Sequence, residues 1–447
     1  MAQAAHTSSE KQIRQTFSRM KKSFVILLLF TCLGSMLQAA DKKDKAQKPV
    51  KMSALYKAAS NAIKNSSGQD GARTNLINAL PRTDLKDKDR AMIYYTAAKL
   101  YESVNSVENR KAYLKQQYDT ALFFNSLLNM YEQLRLCDSV DAVPNAQEKV
   151  RLKYSRKTRD LRQKYKKNIL NGGKFFLRKG NYDAAYGFMD AYYTYTTNRR
   201  DTMLPKLAYR AALCGYLSNK PAHTLKYIDK AIEAATRGDK PILQEYKVRT
   251  YELLKNDSAW VRELHAGVSQ YPEYDYFFVH LVDYYDSHRM TKEGCALADS
   301  LIKVVTADKA IYWYTKCKMK LIENDYEACI RFADSTLLRD PAFTDAYYNK
   351  GSSYLNMAVI RQENACSNIK DPRFEQDRRD IRNLYTAAMP CMQKVRELQP
   401  DNIDRWAPPL YRIYLFLNKG KEFDEIDKLL KKKAADDRKK QAEAAKK

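Results

Sequence analysis

The feature that most constrains this chain is an internal repeat with a period of 34 residues. Trp313 and Tyr347 lie 34 residues apart, and each opens a stretch with a similar order of bulky and small residues. A period of this length is typical of arrays in which each unit is one helical hairpin. One hairpin cannot bury its own apolar side, so the period predicts that several hairpins stack against one another.

Composition agrees with a helical array. The chain has 447 residues but only 13 Gly and 13 Pro, whereas Tyr reaches 33. Because so few residues interrupt helices, the composition favours an all-α fold over a sheet-rich one with many turns.

The first repeat unit has a bulky aromatic residue, a small residue four positions later, two small residues in a second helix and a closing proline. These positions are Trp313, Cys317, Cys329, Ala333 and Pro341. On these residues the sequence resembles the tetratricopeptide repeat family, whose unit is a 34-residue helix–turn–helix. The resemblance implies an all-α solenoid of helical hairpins, a right-handed superhelix with a concave groove that binds protein partners.

The second unit supplies Tyr347, Gly351 and Tyr354 and then departs from the pattern. Its closing proline comes only at Pro400, so about 25 residues are inserted relative to a regular unit, roughly at 360–384. The insertion is polar and charged. It is predicted to form either a projecting loop or a lengthened hairpin.

The stretch Gly172-Gly173-Lys174 has some of the letters of a phosphate-binding loop. That motif requires Ser or Thr after its lysine and a preceding strand, but here Phe175 follows and the preceding segment is a lysine-rich helix. The same residues match the repeat. We therefore predict that Gly173 lies where the two helices of a hairpin pack closely.

The chain divides into four predicted parts. Lys21 and Lys22 precede the apolar run Phe24–Leu33, and small residues follow, as in an export signal. Lipidation at Cys32 and an uncleaved anchor are the alternatives to cleavage. The predicted parts are an N-terminal extension and signal peptide at 1–40, a basic linker at 41–52, the solenoid at 53–430 and a basic tail at 431–447 that we expect to be disordered.

The formal net charge is +26. A charge this large favours anionic partners. Export to the periplasm or an envelope membrane argues against nucleic acid. We therefore expect a protein or peptide partner with acidic groups, and an anionic envelope surface as a further possibility.

No motif indicates catalysis. The five histidines form no HExxH pattern, and the sequence contains neither GxSxG nor GxGxxG. We expect no enzymatic activity, no cofactor and no metal site. The cysteines lack CxxC spacing, but Cys317 and Cys329 occupy facing small-residue positions, and a disulfide between them is an open alternative to two packed thiols.

The resemblance also implies which side chains line the groove. These residues follow the leading aromatic position of the first helix by one, five and eight or nine positions. They are Leu170, Lys174, Arg178, Tyr314, Lys318, Tyr348, Ser352 and Asn356.

The sequence thus predicts a non-enzymatic exported scaffold for protein–protein interaction in the cell envelope. One alternative is binding of anionic lipid or cell-wall polymer through a basic stripe at 148–180, which has 13 Lys or Arg against two acidic residues. A remote alternative is a hydrolase with its site in the 360–384 insertion.

Overall fold

The computed structural model describes residues 50–444 except 145, 146, 151 and 199. The predicted export signal and nearly all of the predicted linker therefore lie outside the described residues. Within this part of the chain the structure has 18 helices and no strand.

The helices are α1 Met52–Asn65, α2 Gln69–Asn78, α3 Asp87–Tyr113, α4 Thr120–Asp141, α5 Ser155–Arg178, α6 Tyr182–Tyr195, α7 Met203–Leu217, α8 Pro221–Ala234, α9 Lys240–Leu253, α10 Asp257–Gln270, α11 Asp275–Ser287, α12 Thr291–Val304, α13 Ala310–Ile322, α14 Tyr326–Arg339, α15 Thr344–Glu363, α16 Pro372–Leu398, α17 Ile403–Leu417 and α18 Gly420–Ala444.

The helices follow one another as stacked hairpins. Each packs mainly against the next helix in sequence, and α13 also packs against α15. The helices α9, α11, α13 and α15 begin 34 or 35 residues apart, in agreement with the sequence period. The predicted fold class, an all-α array of helical hairpins, is confirmed.

The turn inside each described hairpin except α15–α16 has a recurrent backbone conformation. One residue adopts a left-handed φ, and the next residue donates its N–H to a carbonyl in the last turn of the first helix, as in a Schellman motif. The Asn181 N–H donates to the Phe176 carbonyl at 3.0 Å, and the Asp325 N–H donates to the Lys320 carbonyl at 2.9 Å. The left-handed residues of these turns are Ser66, Lys115, Gly180, Asn219, Lys255, Arg289, Asn324 and Asn418.

Several of the second helices begin with side-chain caps that the sequence supplies. The Asn181 side chain accepts the Ala184 N–H at 3.1 Å, and the Asp325 side chain accepts the Ala328 N–H at 3.2 Å. These caps satisfy amides that have no partner within the helix. The stretch GNYDAA at residues 180–185 therefore both ends α5 and starts α6.

The crossing of α5 and α6 depends on glycine. A Cβ on Gly172 would lie 2.5 Å from Cε1 of Phe188, and one on Gly173 would lie 3.3 Å from its Cβ. The close packing predicted at Gly173 is therefore present, but the tighter approach is at Gly172. Phe188 is fully buried and stacks on Phe176 with ring centroids 5.5 Å apart.

Residues 360–384 extend a hairpin and do not form a long loop. They comprise the end of α15, a short connection and the first part of α16, which has 27 residues against 14 in α14. Ile381 on the added length and Tyr385 directly after it are buried. The Tyr385 hydroxyl also accepts a hydrogen bond from Nε of Arg412 on α17 at 3.1 Å.

The C-terminal tail differs from the expectation of disorder, because α18 continues to Ala444. Lys, Ala, Glu, Gln and Arg, which dominate this segment, are among the residues that favour helices most. An ion pair between Lys431 and Asp427, 2.8 Å apart and four residues from each other, adds to this preference.

Candidate functional site

The eight predicted groove residues lie on the first helices of three hairpins. Leu170, Lys174 and Arg178 lie on α5, Tyr314 and Lys318 on α13, and Tyr348, Ser352 and Asn356 on α15. The structure thus brings the members of each set together along one helix. Among the described residues, no ion pair or ring contact joins one set to another.

The set on α5 presents free positive charge. Lys174 and Arg178 are exposed, and neither forms an ion pair within the described part of the chain. They are four residues apart and so lie on the same side of the helix. Leu170 is half-buried and lines a narrow crevice together with Lys174 and Arg210 of α7.

The set on α13 is already engaged within the protein. Nζ of Lys318 lies 2.6 Å from Oδ2 of Asp286 on α11, so the charge of this lysine is compensated. The ring of Tyr314 packs against Phe343 with centroids 4.7 Å apart, and burial raises the pKa of Tyr314. These two side chains act first as contacts between neighbouring hairpins.

The set on α15 is engaged at one end and open at the other. The guanidinium of Arg405 from α17 lies 4.6 Å from the ring centroid of Tyr348 and also pairs with Asp345. Ser352 is half-buried, whereas Asn356 is exposed. Only the C-terminal end of this set therefore presents an exposed polar group.

Cys317 and Cys329 face each other, as the repeat pattern predicts. Both are fully buried free thiols, with their Sγ atoms 3.4 Å apart. The contact between the two thiols, together with burial, raises the pKa of Cys317. A disulfide would need the sulfur atoms about 2 Å apart, so the bond remains a prediction for the oxidised chain.

The basic stripe has an inner face that is paired with acidic residues. The carboxylate of Glu102 on α3 is buried and accepts hydrogen bonds from Lys99 and, at 2.7 Å, from Lys164 of α5. Burial alone would raise the pKa of Glu102, but the hydrogen bonds from Lys164 and Lys99 outweigh it and hold that pKa below its usual value.

A cavity of about 320 Å³ opens within the stripe, between α4, α5 and α6. Cationic and hydroxyl side chains dominate its lining. It includes Tyr131, Asp138, Ser155, Thr158, Arg159, Arg162, Gln163, Lys166, Tyr192, Thr194, Tyr195, Thr196 and Thr197. The sequence pattern did not identify this cavity, because its residues come from three helices and the stripe was predicted only as a surface.

Arg162 forms part of the cavity wall and is only 8% exposed. Its Nη1 lies 2.6 Å from Oδ2 of Asp138, and its guanidinium carbon lies 4.0 Å from the ring centroid of Tyr195. Its backbone carbonyl accepts the Tyr131 hydroxyl at 2.6 Å. The guanidinium is therefore held in place by an acid, an aromatic ring and a fixed backbone.

No protein-family model and no curated protein matches the chain. The helical hairpins, their period and their repeated turn decide the class of fold. This chain is a helical-repeat protein.

Several solved structures are similar to it. The C-terminal part of a TPR repeat-containing protein from Cytophaga hutchinsonii is 15% identical, and the match covers 57% of this chain and 91% of that one, with a TM-score of 0.38. A TPR repeats protein from Bacteroides fragilis is 15% identical over 59% and 98% of the two chains, with a TM-score of 0.30. A tetratricopeptide repeat protein from Parabacteroides merdae is 13% identical over 60% and 98%, with a TM-score of 0.31.

Two histidines of the helical-repeat protein, His223 and His265, contact tyrosine rings of neighbouring helices. His223 stacks on Tyr186 with centroids 3.8 Å apart, and burial lowers the pKa of this histidine. His265 lies 3.2 Å from the Tyr285 hydroxyl. Within the described ranges, no group of three or more His, Cys, Asp or Glu side chains is arranged to hold a metal ion.

Acidic residues of the 360–384 segment are held in structural contacts. Arg361 pairs with Asp377 at 3.0 Å and with Asp380 at 2.9 Å. Asp377 also accepts the backbone N–H of Cys366 at 2.8 Å. These contacts close the connection between α15 and α16.

None of the helices that the structure describes has both the length and the apolar character needed to cross a lipid bilayer.

Proposed function

We propose that this helical-repeat protein is a non-enzymatic scaffold that binds an acidic protein or peptide partner through the first helices of its hairpins. The observation that carries the proposal is the contrast between α5 and α13. Lys174 and Arg178 are exposed without an ion pair in the described part of the chain, whereas Lys318 is neutralised by Asp286. Unpaired cations on a rigid helix attract an acidic partner and fix its register at low entropic cost.

We further propose that the protein acts after export, in the periplasm or at an envelope membrane. The basic start at Lys21 and Lys22 and the apolar run Phe24–Leu33 support this location. Fractionation of cells that express the tagged chain tests it, since an intracellular product of uncleaved mass would contradict export.

A crosslinking pull-down from envelope extracts tests the binding function. The variant Lys174→Glu/Arg178→Glu should lose the crosslinked partner. The matched control, Lys292→Glu/Lys303→Glu, changes the charge equally at exposed positions of the second helix α12 and should retain it. Equal capture by both variants would exclude α5 as the binding helix.

A second candidate function is binding of an anionic lipid or cell-wall polymer through the stripe. The exposed outer positions of α5, which include Arg156, Lys157, Arg159 and Lys167, favour this alternative. Sedimentation with vesicles that contain phosphatidylglycerol tests it. Salt-sensitive binding that survives Lys174→Glu/Arg178→Glu would favour the membrane, whereas absence of sedimentation would exclude it.

A further inference from the structure

The cavity between α4, α5 and α6 carries donor groups that the fold does not use. Within the described part of the chain, Nε and Nη2 of Arg162 are buried and have no hydrogen-bond partner. A buried donor without a partner costs about 1–3 kcal/mol. The protein therefore retains an unfavourable arrangement that a bound acceptor would relieve.

The two free nitrogens lie on one edge of the guanidinium. Nη1 is occupied by Asp138, so the remaining edge formed by Nε and Nη2 offers two nearly parallel N–H groups. Such an edge matches the two oxygens of a single carboxylate. The stack on Tyr195 and the contact with Asp138 hold it in one orientation.

Charge balance favours a monoanion. The cations of the lining are Arg159, Arg162 and Lys166. Asp138 compensates Arg162, and Nζ of Lys166 lies 2.8 Å from Oδ2 of Asp201. Arg159 is exposed and has no ion pair among the described residues. The positive charge of Arg159 is therefore left uncompensated. One carboxylate would neutralise it, whereas a doubly charged phosphate would leave an excess negative charge.

We propose that this cavity binds the carboxylate of an acidic side chain of a peptide, with Arg159 at its mouth and the free edge of Arg162 as its deepest donor. The proposal rests on the proposed function, since it adds a pocket to the surface that the partner contacts. Because the Arg162 edge is buried, the carboxylate reaches it after a side chain of the wall has rotated. Arg159 and Gln163 are exposed residues of the cavity wall.

The test measures binding of end-blocked, fluorescently labelled peptides to the full chain by anisotropy. One peptide contains glutamates, and its partner has glutamines at the same positions. Arg162→Lys keeps the positive charge but removes the two-pronged edge, and Arg159→Gln removes the cation at the mouth. The matched control is Arg156→Gln on the same helix, whose side chain is 88% exposed and lies outside the cavity lining.

We expect the glutamate peptide to bind more tightly than the glutamine peptide. Arg162→Lys should weaken it by about tenfold and Arg159→Gln by about threefold, since charge-assisted hydrogen bonds are lost. Arg156→Gln should change the affinity by less than about twofold, because exposed charges interact weakly. Unchanged circular dichroism will show that Arg162→Lys is folded, and Arg159→Gln tests the proposal independently because this residue is exposed.

Four results would overturn the proposal. Equal effects of Arg159→Gln and Arg156→Gln would mean that only the general positive field attracts the peptide. Displacement of the peptide by inorganic phosphate at lower concentration than by acetate would identify a phosphate site. Binding of phosphatidylglycerol vesicles, without peptide binding, through Arg159 would identify a lipid surface. If the cavity variants still crosslink the partner that Lys174→Glu/Arg178→Glu loses, the pocket is excluded and the scaffold function stands.

Discussion

The hairpins α5–α6 and α13–α14 follow the same sequence pattern but join their helices by different contacts. In the first, Gly172 lies against the ring of Phe188, which the second helix supplies. In the second, the thiols of Cys317 and Cys329 meet directly. The repeat pattern thus determines where two helices approach each other. The side chains that fill the crossing determine how much a substitution there changes the free energy of unfolding.

The first helices of the two hairpins also differ in how their basic residues are paired. On α13, Lys316, Lys318 and Lys320 each pair with an acidic residue, at 2.6 to 2.7 Å. On α5, Lys174 and Arg178 do not. Equivalent positions in two repeats can therefore be a structural contact in one and an open binding surface in the other.

The largest expected effect concerns the aromatic ring at the first crossing. Phe188→Ala should lower the free energy of unfolding by about 3–5 kcal/mol, because it removes a fully buried ring. Phe332→Ala on α14 should lower the free energy of unfolding by about 1–2 kcal/mol, because that ring is only partly buried where it packs against the cluster that contains Cys317 and Cys329. Urea unfolding followed by circular dichroism measures both, and equal losses would contradict the difference between the crossings.

Oxidation tests the second crossing. Closing a loop of about a dozen residues with a Cys317–Cys329 bond should raise the free energy of unfolding by about 3 kcal/mol. Mass spectrometry after mild oxidation should show the loss of two hydrogens, and urea unfolding should show the gain. Cys317→Ser is the control and should show neither change. If both thiols remain free after oxidation, the two helices do not approach closely enough for the bond to form.

The next prediction concerns the close contact between Gly172 of α5 and Phe188 of α6. Gly172→Ala should lower the free energy of unfolding by about 1–2 kcal/mol, because the clash with Phe188 exceeds what alanine gains in helix propensity. Gly71→Ala on α2 is the matched control. Its Cβ would have no neighbour within 4 Å, so we expect a gain of up to about 1 kcal/mol from propensity alone. A gain at both positions would refute the tight crossing.

These crossings show how far the sequence predicts the fold. The spacing of Trp313, Cys317 and Cys329 predicted both helices of a hairpin and their facing thiols, because small residues must recur wherever two helices cross. The spacing did not distinguish Gly172 from Gly173. Neighbouring residues on a helix point about 100° apart, and which of them faces the next helix more closely depends on how that helix docks.

The candidate sites were less predictable, because they depend on neighbouring hairpins. The pattern placed Lys318 in the groove, but Asp286, which neutralises it, lies 32 residues earlier. Likewise, nothing local to Arg162 indicates that Asp138 and Tyr195 would enclose it. A repeat pattern specifies positions within one unit, whereas charge pairing is a property of the contact between units.

The last prediction compares two acidic residues, the buried Glu102 beside α5 and the partly exposed Asp286 beside α13, by how much each stabilises the fold. Glu102→Gln should lower the free energy of unfolding at neutral pH by about 1–2 kcal/mol, because it weakens charge-assisted hydrogen bonds to Lys99 and Lys164. Hydrogen bonds from Lys164 and Lys99 outweigh burial and lower the folded-state pKa of Glu102. The stabilisation is therefore present above the unfolded pKa of about 4.3 and is lost as the pH falls through the folded value.

Urea midpoints of the wild type and Glu102→Gln should accordingly differ by a constant amount above about pH 5 and converge under more acidic conditions. Asp286→Asn is the control in the other region and should cost about 0.5 kcal/mol, because the Lys318–Asp286 pair is partly solvated. If the two variants instead lose the same stability with the same pH dependence, the acid of α3 is no better protected from water than the acid of α11. The inner face of the stripe would then be an ordinary surface, and the distinction between the two regions would be limited to their crossings.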